Sequence, residues 1–230
     1  MREEIWTEKI FKDDAGYFLR ITMYLRAQKF LLMKNHLICL LLSISFCACS
    51  SQNGWTEEEM SLILDSPAVM RVLSVDEYED SLVLRKTSTF IPEEELEGEI
   101  LKILSEKMLA TVTSPEQDGV GIAGPQVGIS RRIVAVQRFD KPGEPFEVYP
   151  NIRIVAFRGD KADGPEGCLS VPGRSGTVSR YRDIDITYSL TGNPAKDTTE
   201  TVKGFTAVIF QHECDHLDGI LYTDRLQKIP

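Results

Sequence analysis

The segment Gln211-His-Glu-Cys-Asp-His216 constrains this chain more than any other. His212 and His216 are four residues apart, so on a helix they differ by about 40° and project from one face. Two imidazoles so placed can chelate one divalent metal ion, and Glu213 beside them can serve as a general base. The chain has only 3 histidines, and two of them in this arrangement favour a metal pair over packed core residues. Phe205, Val208 and Ile209 precede His212 along the same stripe, so the histidines are expected to look inward. Phe210, Cys214 and Leu217 form a second apolar stripe on the opposite side. A helix apolar on two sides is a central one, and this one is expected to span Phe205 to Leu217.

Two imidazoles do not complete a site. A catalytic centre of the zinc type takes three protein ligands and leaves a position for water. A metzincin pattern would place a third histidine where this chain has Tyr222, although Gly219 fits it. A thermolysin-type pattern needs a glutamate downstream, and none follows His216. The third ligand must come from upstream. Cys168, in Pro165-Glu-Gly-Cys-Leu-Ser-Val-Pro172, is the candidate, read as a thiolate on a tight glycine-bounded loop. Cys214 points about 200° away from His212 and reads as a small buried hydrophobe.

Around these motifs the pattern predicts a mixed fold. Leu96 to Thr113 carries apolar residues at three- and four-residue steps and reads as a helix, closed by the loop Ser114 to Gly119. Arg131 to Arg138 reads as a strand, and Phe146 to Phe157 as one or two more, interrupted at Pro150-Asn151. Asp183 to Leu190 alternates polar and apolar; Thr198 to Lys203 is its expected antiparallel neighbour across Gly192-Asn193-Pro194. Strands and helices do not alternate regularly, so α+β is favoured over a doubly wound sheet. Gly119-Val-Gly-Ile-Ala-Gly124 matches the dinucleotide-binding pattern, but a helix and polar loop precede it and Pro125 follows. That context lacks the strand-to-helix turn which holds a pyrophosphate. Net charge is −9 and the first 48 residues are basic on balance, so the body is more acidic still. An acidic body argues against nucleic acid as a partner. The acidic tract Ser50 to Glu99 reads as solvated surface.

The N-terminal part has its own logic. Leu37 to Phe46 is apolar but too short to span a bilayer, which takes about 20 residues. It follows Lys34 and His36 and ends in Cys47-Ala-Cys-Ser-Ser51, a pattern of secretory signals. Residues 33–48 resemble a bacterial lipoprotein signal cut before Cys49, whose thiol would be lipidated. The expected organisation is an upstream extension over 1–32 with translation starting at Met33 or Met23, the signal over 33–48, a polar tether over 49–69 and a catalytic domain over 70–230.

Gly119-Val-Gly-Ile-Ala-Gly-Pro-Gln126, Glu166-Gly-Cys-Leu-Ser170 and Gln211-His-Glu-Cys-Asp-His216 resemble, in order, the three signature motifs of the peptide deformylases. The resemblance runs from about Val69 to Leu226, and its departure at Gly124, where alanine is more usual, is expected to loosen a packing position. It implies an α+β fold with antiparallel or mixed sheets around a central metal-binding helix. It implies removal of formyl from the N-terminal formyl-methionine of peptides, with the formyl-methionyl peptide as partner, and the enzyme is expected to be a monomer. The metal would be one divalent ion, usually ferrous iron, held by Cys168, His212 and His216, with a water as fourth ligand. Glu213 would take that water's proton and return it to the leaving amine. The side-chain amide of Gln126 and the backbone N–H of Leu169 would hold the oxyanion. Backbone around Gly121 would pair with the extended substrate; Val120, Phe205, Val208 and Ile209 would wall the methionine pocket. Arg180 would pair with Glu166 and brace the Cys168 segment.

Other readings use the same residues. The centre could serve a metal amidase or peptidase of another specificity in the envelope, or the fold could persist as a surface-anchored binding protein. Ligands, base and oxyanion donor together speak against the last. A lipid anchor at Cys49 would place the enzyme in a bacterial envelope, where zinc, lacking redox chemistry, is a better-suited resident than iron. Cytoplasmic placement is the alternative.

Overall fold

Thr56 opens the first helix, α1 (Glu57–Asp65), because its side chain accepts the Glu59 N–H while the Glu59 carboxylate accepts the Thr56 N–H. Such a reciprocal cap satisfies two of the donors that a helix start leaves free. The computed structural model describes residues 54–190 and 197–227. The chain divides into two units, Met1–Ser51 and Gln52–Pro230, and the described residues belong to the second. The upstream extension, the signal at 33–48, Cys49 and the turn Gly192-Asn193-Pro194 all lie outside the described residues.

α1 corrects the expectation of a tether over 49–69. Ile63 is wholly buried, and it shares a core cluster with Trp55, Leu101, Leu104 and Met108. Glu59 pairs with Arg131 at 2.7 Å. The second half of the presumed tether is therefore part of the domain; its many glutamates hide a helix whose apolar contact is carried by few residues. The acidic tract likewise is not all solvated surface. It contains α2 (Tyr78–Leu84), in which buried Asp80 accepts two hydrogen bonds from Arg71 and one from the Ser74 N–H. The helix expected from Leu96 begins later, as α3 (Glu99–Val112), because Glu93–Glu95 forms a 3₁₀ turn and Gly98 is the N-cap.

Two antiparallel sheets follow. The first is β1 (Gly121–Ala123), β2 (Ile133–Gln137) and β3 (Phe146–Pro150), in that order. Strand alternation divides β2 between two cores. Ile133 and Ala135 join the cluster under α1 and α3, while Val134 and Val136 join the cluster around the last helix. β2 is shorter than Arg131 to Arg138: Arg131 bridges Thr89 instead, and the Arg138 N–H donates to the Pro145 carbonyl just past the end of the ladder. Arg132 meets Asp218 and Arg138 meets Asp140, each at 2.7 Å.

The second sheet is β4 (Arg153–Cys168), β5 (Val171–Ser189) and β6 (Asp197–Lys203). The β4–β5 hairpin is far longer than the strands expected at Phe146 to Phe157 and Asp183 to Leu190. Its extension is rich in glycine and charge, and a register shift between Arg158 and Lys161 breaks the alternation. Cys168 is thus not on a glycine-bounded loop. It ends β4, faces Val171 across the two-residue turn Leu169-Ser170, and Gly167 lies inside the strand. Between the sheets runs α4 (Gly204–Leu217), packed on β1, β2, β5 and β6 and buried from Thr206 to Gln211 and from Glu213 to Leu217. Helices with two antiparallel sheets around a central helix make the α+β fold expected. Among the described residues no helix is long and apolar enough to cross a membrane.

Candidate metal centre

α4 contributes His212 and His216, one turn apart, and the end of β4 contributes Cys168. Their ligating atoms all lie within 4.8 Å of one another. Cys168 Sγ stands 3.2 Å from His216 Nε2. A thiolate and two imidazoles converging at this spacing form a donor set for a divalent transition ion.

The ring of His212 is aimed by Glu166, which reaches its Nδ1 at 2.9 Å and so leaves Nε2 for the centre. Arg180 donates to the same carboxylate from Nε at 2.8 Å and Nη2 at 3.0 Å. Burial alone would raise the Glu166 pKa, but hydrogen bonds from His212 and Arg180 outweigh it and bring it to about 2. Burial also opposes charge on His212, yet hydrogen bonds to Cys168 and Glu166 draw its pKa up to about 10. An ion binding there displaces that proton. Burial keeps His216 neutral, the form that ligates.

Glu213 is 4% exposed, and burial lifts its carboxyl to about 7. A carboxyl poised there exchanges protons near neutrality. Its Oε2 and the Nδ1 of His216 are buried without a partner among the described residues. Gln126, by contrast, is held in place by its neighbours. Its Oε1 accepts the Ala123 N–H at 2.9 Å, and its Nε2 donates to Ser170 Oγ at 3.2 Å, 3.6 Å from Cys168 Sγ. The Leu169 N–H, in the hairpin turn, donates to no backbone carbonyl of the described residues.

These groups face a cavity of about 340 Å³. Val120, Gly121, Gln126, Leu169, Phe205, Val208, Ile209 and Glu213 line it with Cys168 and His212, while His216 is not part of the lining. Phe205 differs from expectation. It is 50% exposed and rests on Phe139 at the rim, because it sits in the first turn of α4 where the helix emerges. Val120 is exposed at the rim as well.

Residues 72–230 match the model of a family described as polypeptide deformylase. The chain belongs to the polypeptide deformylase family. It is 45% identical over 118 residues to a peptide deformylase of Desulforudis audaxviator, covering 51% of this chain and 73% of that one. A peptide deformylase of Leptospira biflexa is 34% identical over 168 residues, covering 70% and 89%. A Met-Ala-Ser-bound class I type b peptide deformylase from Acinetobacter baumannii superposes with a TM-score of 0.60 at 34% identity, covering 69% and 98%. The protein is accordingly an enzyme, a peptide deformylase, which hydrolyses the N-formyl group from peptides.

Within this deformylase two features depart from the sequence reading. Gly124 loosens nothing. A Cβ there would come within 2.7 Å of the Ile129 carbonyl and 2.8 Å of the Arg131 carbonyl, so the backbone has closed on it. The second is a network that sequence reasoning found only in part. Arg180 also donates to Asp215 at 2.6 Å, and Arg225 joins Asp215 from the far end of the chain at 2.6 Å. Tyr222 stacks on His212 with centroids 6.2 Å apart. Asp215 lies inside the histidine motif, which was the available signal, but its partners are distant in sequence and no local pattern names them.

Proposed function

We propose that Cys168, His212 and His216 hold one divalent metal ion and that Glu213 is the general base in removing formyl from N-terminal formyl-methionine. The observation that carries this reading is the meeting of three ligating atoms with an unpartnered buried carboxylate at one cavity. When bound, the ion supplies Lewis acidity, polarising the formyl carbonyl and making a water nucleophilic at neutral pH. Glu213 takes the proton of that water and delivers it to the leaving amine. Gln126, its amide oriented by the Ala123 N–H, and the Leu169 N–H donate to the oxygen on which charge develops. Glu166, held by Arg180, keeps His212 in the ligating orientation.

β1 and β4 are both edge strands, and both border the cavity. An extended peptide can therefore pair with backbone near Gly121, with its methionine against Val120, Phe205, Val208 and Ile209. The Met-Ala-Ser ligand of the Acinetobacter relative supports a peptide beginning with methionine. The test compares formyl-Met-Ala-Ser with acetyl-Met-Ala-Ser and unblocked Met-Ala-Ser, with metal analysis of the same preparation. Release confined to formyl with about one metal per chain is expected; equal cleavage of the acetyl peptide would make this an amidase of other specificity.

We also infer an envelope location. Residues 33–48 act as a lipoprotein signal, Cys49 carries the anchor, and the mature monomer works at a bacterial envelope with zinc or another redox-stable ion. The support is the sequence of that segment. Recovery of the native protein in the soluble cytosol with iron bound would replace this with cytoplasmic deformylation.

A further inference from the structure

Beside the cavity of the metal centre lies a second, of about 230 Å³, reaching Gly164, Val178 and Arg182. The two cavities share Pro165, Glu166, Phe205 and Val208 as a common wall. Two arginines border the second one. Arg180 is neutralised by Glu166 and Asp215. Arg182 is half-buried, and among the described residues it has neither an ion pair nor a side-chain hydrogen bond. Its neighbours on the hairpin show the contrast: Arg158 is paired with Asp183 and Asp185. A Cβ on Gly164 would meet Arg182 Nη2 at 3.2 Å, so the guanidinium lies across the space that a side chain at 164 would fill.

The topology says what reaches this cation. β4 is the edge of its sheet, and Pro165 to Cys168 border the catalytic cavity. A formyl group beside Cys168 places the start of the peptide at the end of β4. A peptide running along that edge toward Gly164 advances about 3.3 Å per residue, as β4 does. Its third or fourth residue then comes close to the level of Gly164, where the Arg182 guanidinium lies although its backbone is further along β5.

We propose that Arg182 is a specificity-determining residue that favours formyl-peptides carrying a carboxylate at the third or fourth position. This rests on the deformylase reading above. The preference opposes the bulk field, because a chain of net charge −9 attracts basic peptides overall. A half-buried guanidinium forms a charge-assisted bidentate bond with a carboxylate, and loss of such a bond costs about tenfold in affinity.

The experiment measures kcat and KM for the amides formyl-Met-Ala-Asp-Asp, formyl-Met-Ala-Asn-Asn and formyl-Met-Ala-Lys-Lys, with a free-acid formyl-Met-Ala-Ser to compare a terminal carboxylate. The Asp-Asp peptide should exceed Asn-Asn by about tenfold in kcat/KM, carried by KM. Arg182→Gln should bring the ratio near one, and Arg182→Glu should invert it toward Lys-Lys. An unchanged ratio in both variants, or no acidic preference in the wild type, overturns the proposal. Calorimetry with unformylated Met-Ala-Asp-Asp amide reads the same pairing without chemistry. Absent turnover with Arg182-dependent binding would sink the deformylase reading alone; normal turnover with Arg182-independent binding would sink this proposal alone.

Discussion

Gly121 and Glu213 illustrate how closely the groups around the candidate centre are set. A Cβ on residue 121 would come within 2.5 Å of Glu213 Oε1 and 2.8 Å of Ile209 Cγ2. Gly121→Ala should therefore push the carboxylate out of place and lower kcat, while metal content and folding stay near those of the wild type. A change confined to KM would mean that residue 121 serves only peptide pairing. Glu213→Gln removes the proton acceptor but no ligand, so turnover should be lost with metal content near one per chain. If that variant purifies without metal, or at full rate, the role given to Glu213 is wrong. That His212 and His216 share one helix face with Glu213 beside them was legible at once, because a four-residue step on a helix is a local property. Glu166 and Arg180 needed the hairpin to bring them together, across 14 residues.

At the scale of elements, α4 was the best defined from sequence, because burial on opposite sides gives it two apolar stripes beside the paired histidines. α1 was the least, since its glutamates resemble a solvated tether and its packing depends on Trp55 and Ile63. Ile63→Ala should cost about 2–5 kcal/mol, the range for a fully buried aliphatic truncation. Chemical denaturation measures it; a tether would give no loss. The long hairpin was half legible. Its outer residues are polar and its register slips, so alternation fades before the strand ends. Pairing between strands, which a single strand does not display, carries it through to Cys168.

For the whole molecule the cysteines connect chemistry to place. Cys168 and Cys214 are both free, and Cys168 ends β4 at the metal centre while Cys214 is buried in α4 against the other core cluster. A disulfide between them would take Cys168 from the proposed ligand set, so the domain is expected to be free of a Cys168–Cys214 disulfide even if it is exported as proposed. On the proposed route, Cys49→Ser should leave the protein unlipidated and shift it from the membrane to the soluble fraction, since two acyl chains give the stable attachment. Membrane fractionation with fatty-acid labelling reads this; an unlabelled wild type would end the anchor proposal. What the sequence carried by itself was the His212–His216 pair with Glu213 between them, Cys168 as the candidate upstream partner and the α+β class, because these rest on residue chemistry, helical spacing and hydrophobic pattern; the part proposed for Gln126 came only with the family resemblance. Tertiary structure alone decided the packing of Trp55 and α1 into the core, the closing of backbone on Gly124, the joining of Asp215 and Arg225 to the Glu166–Arg180 pair and the isolation of Arg182. Each of those depends on which distant segments come within a few ångströms, and that is set by packing of the whole chain against two shared cores.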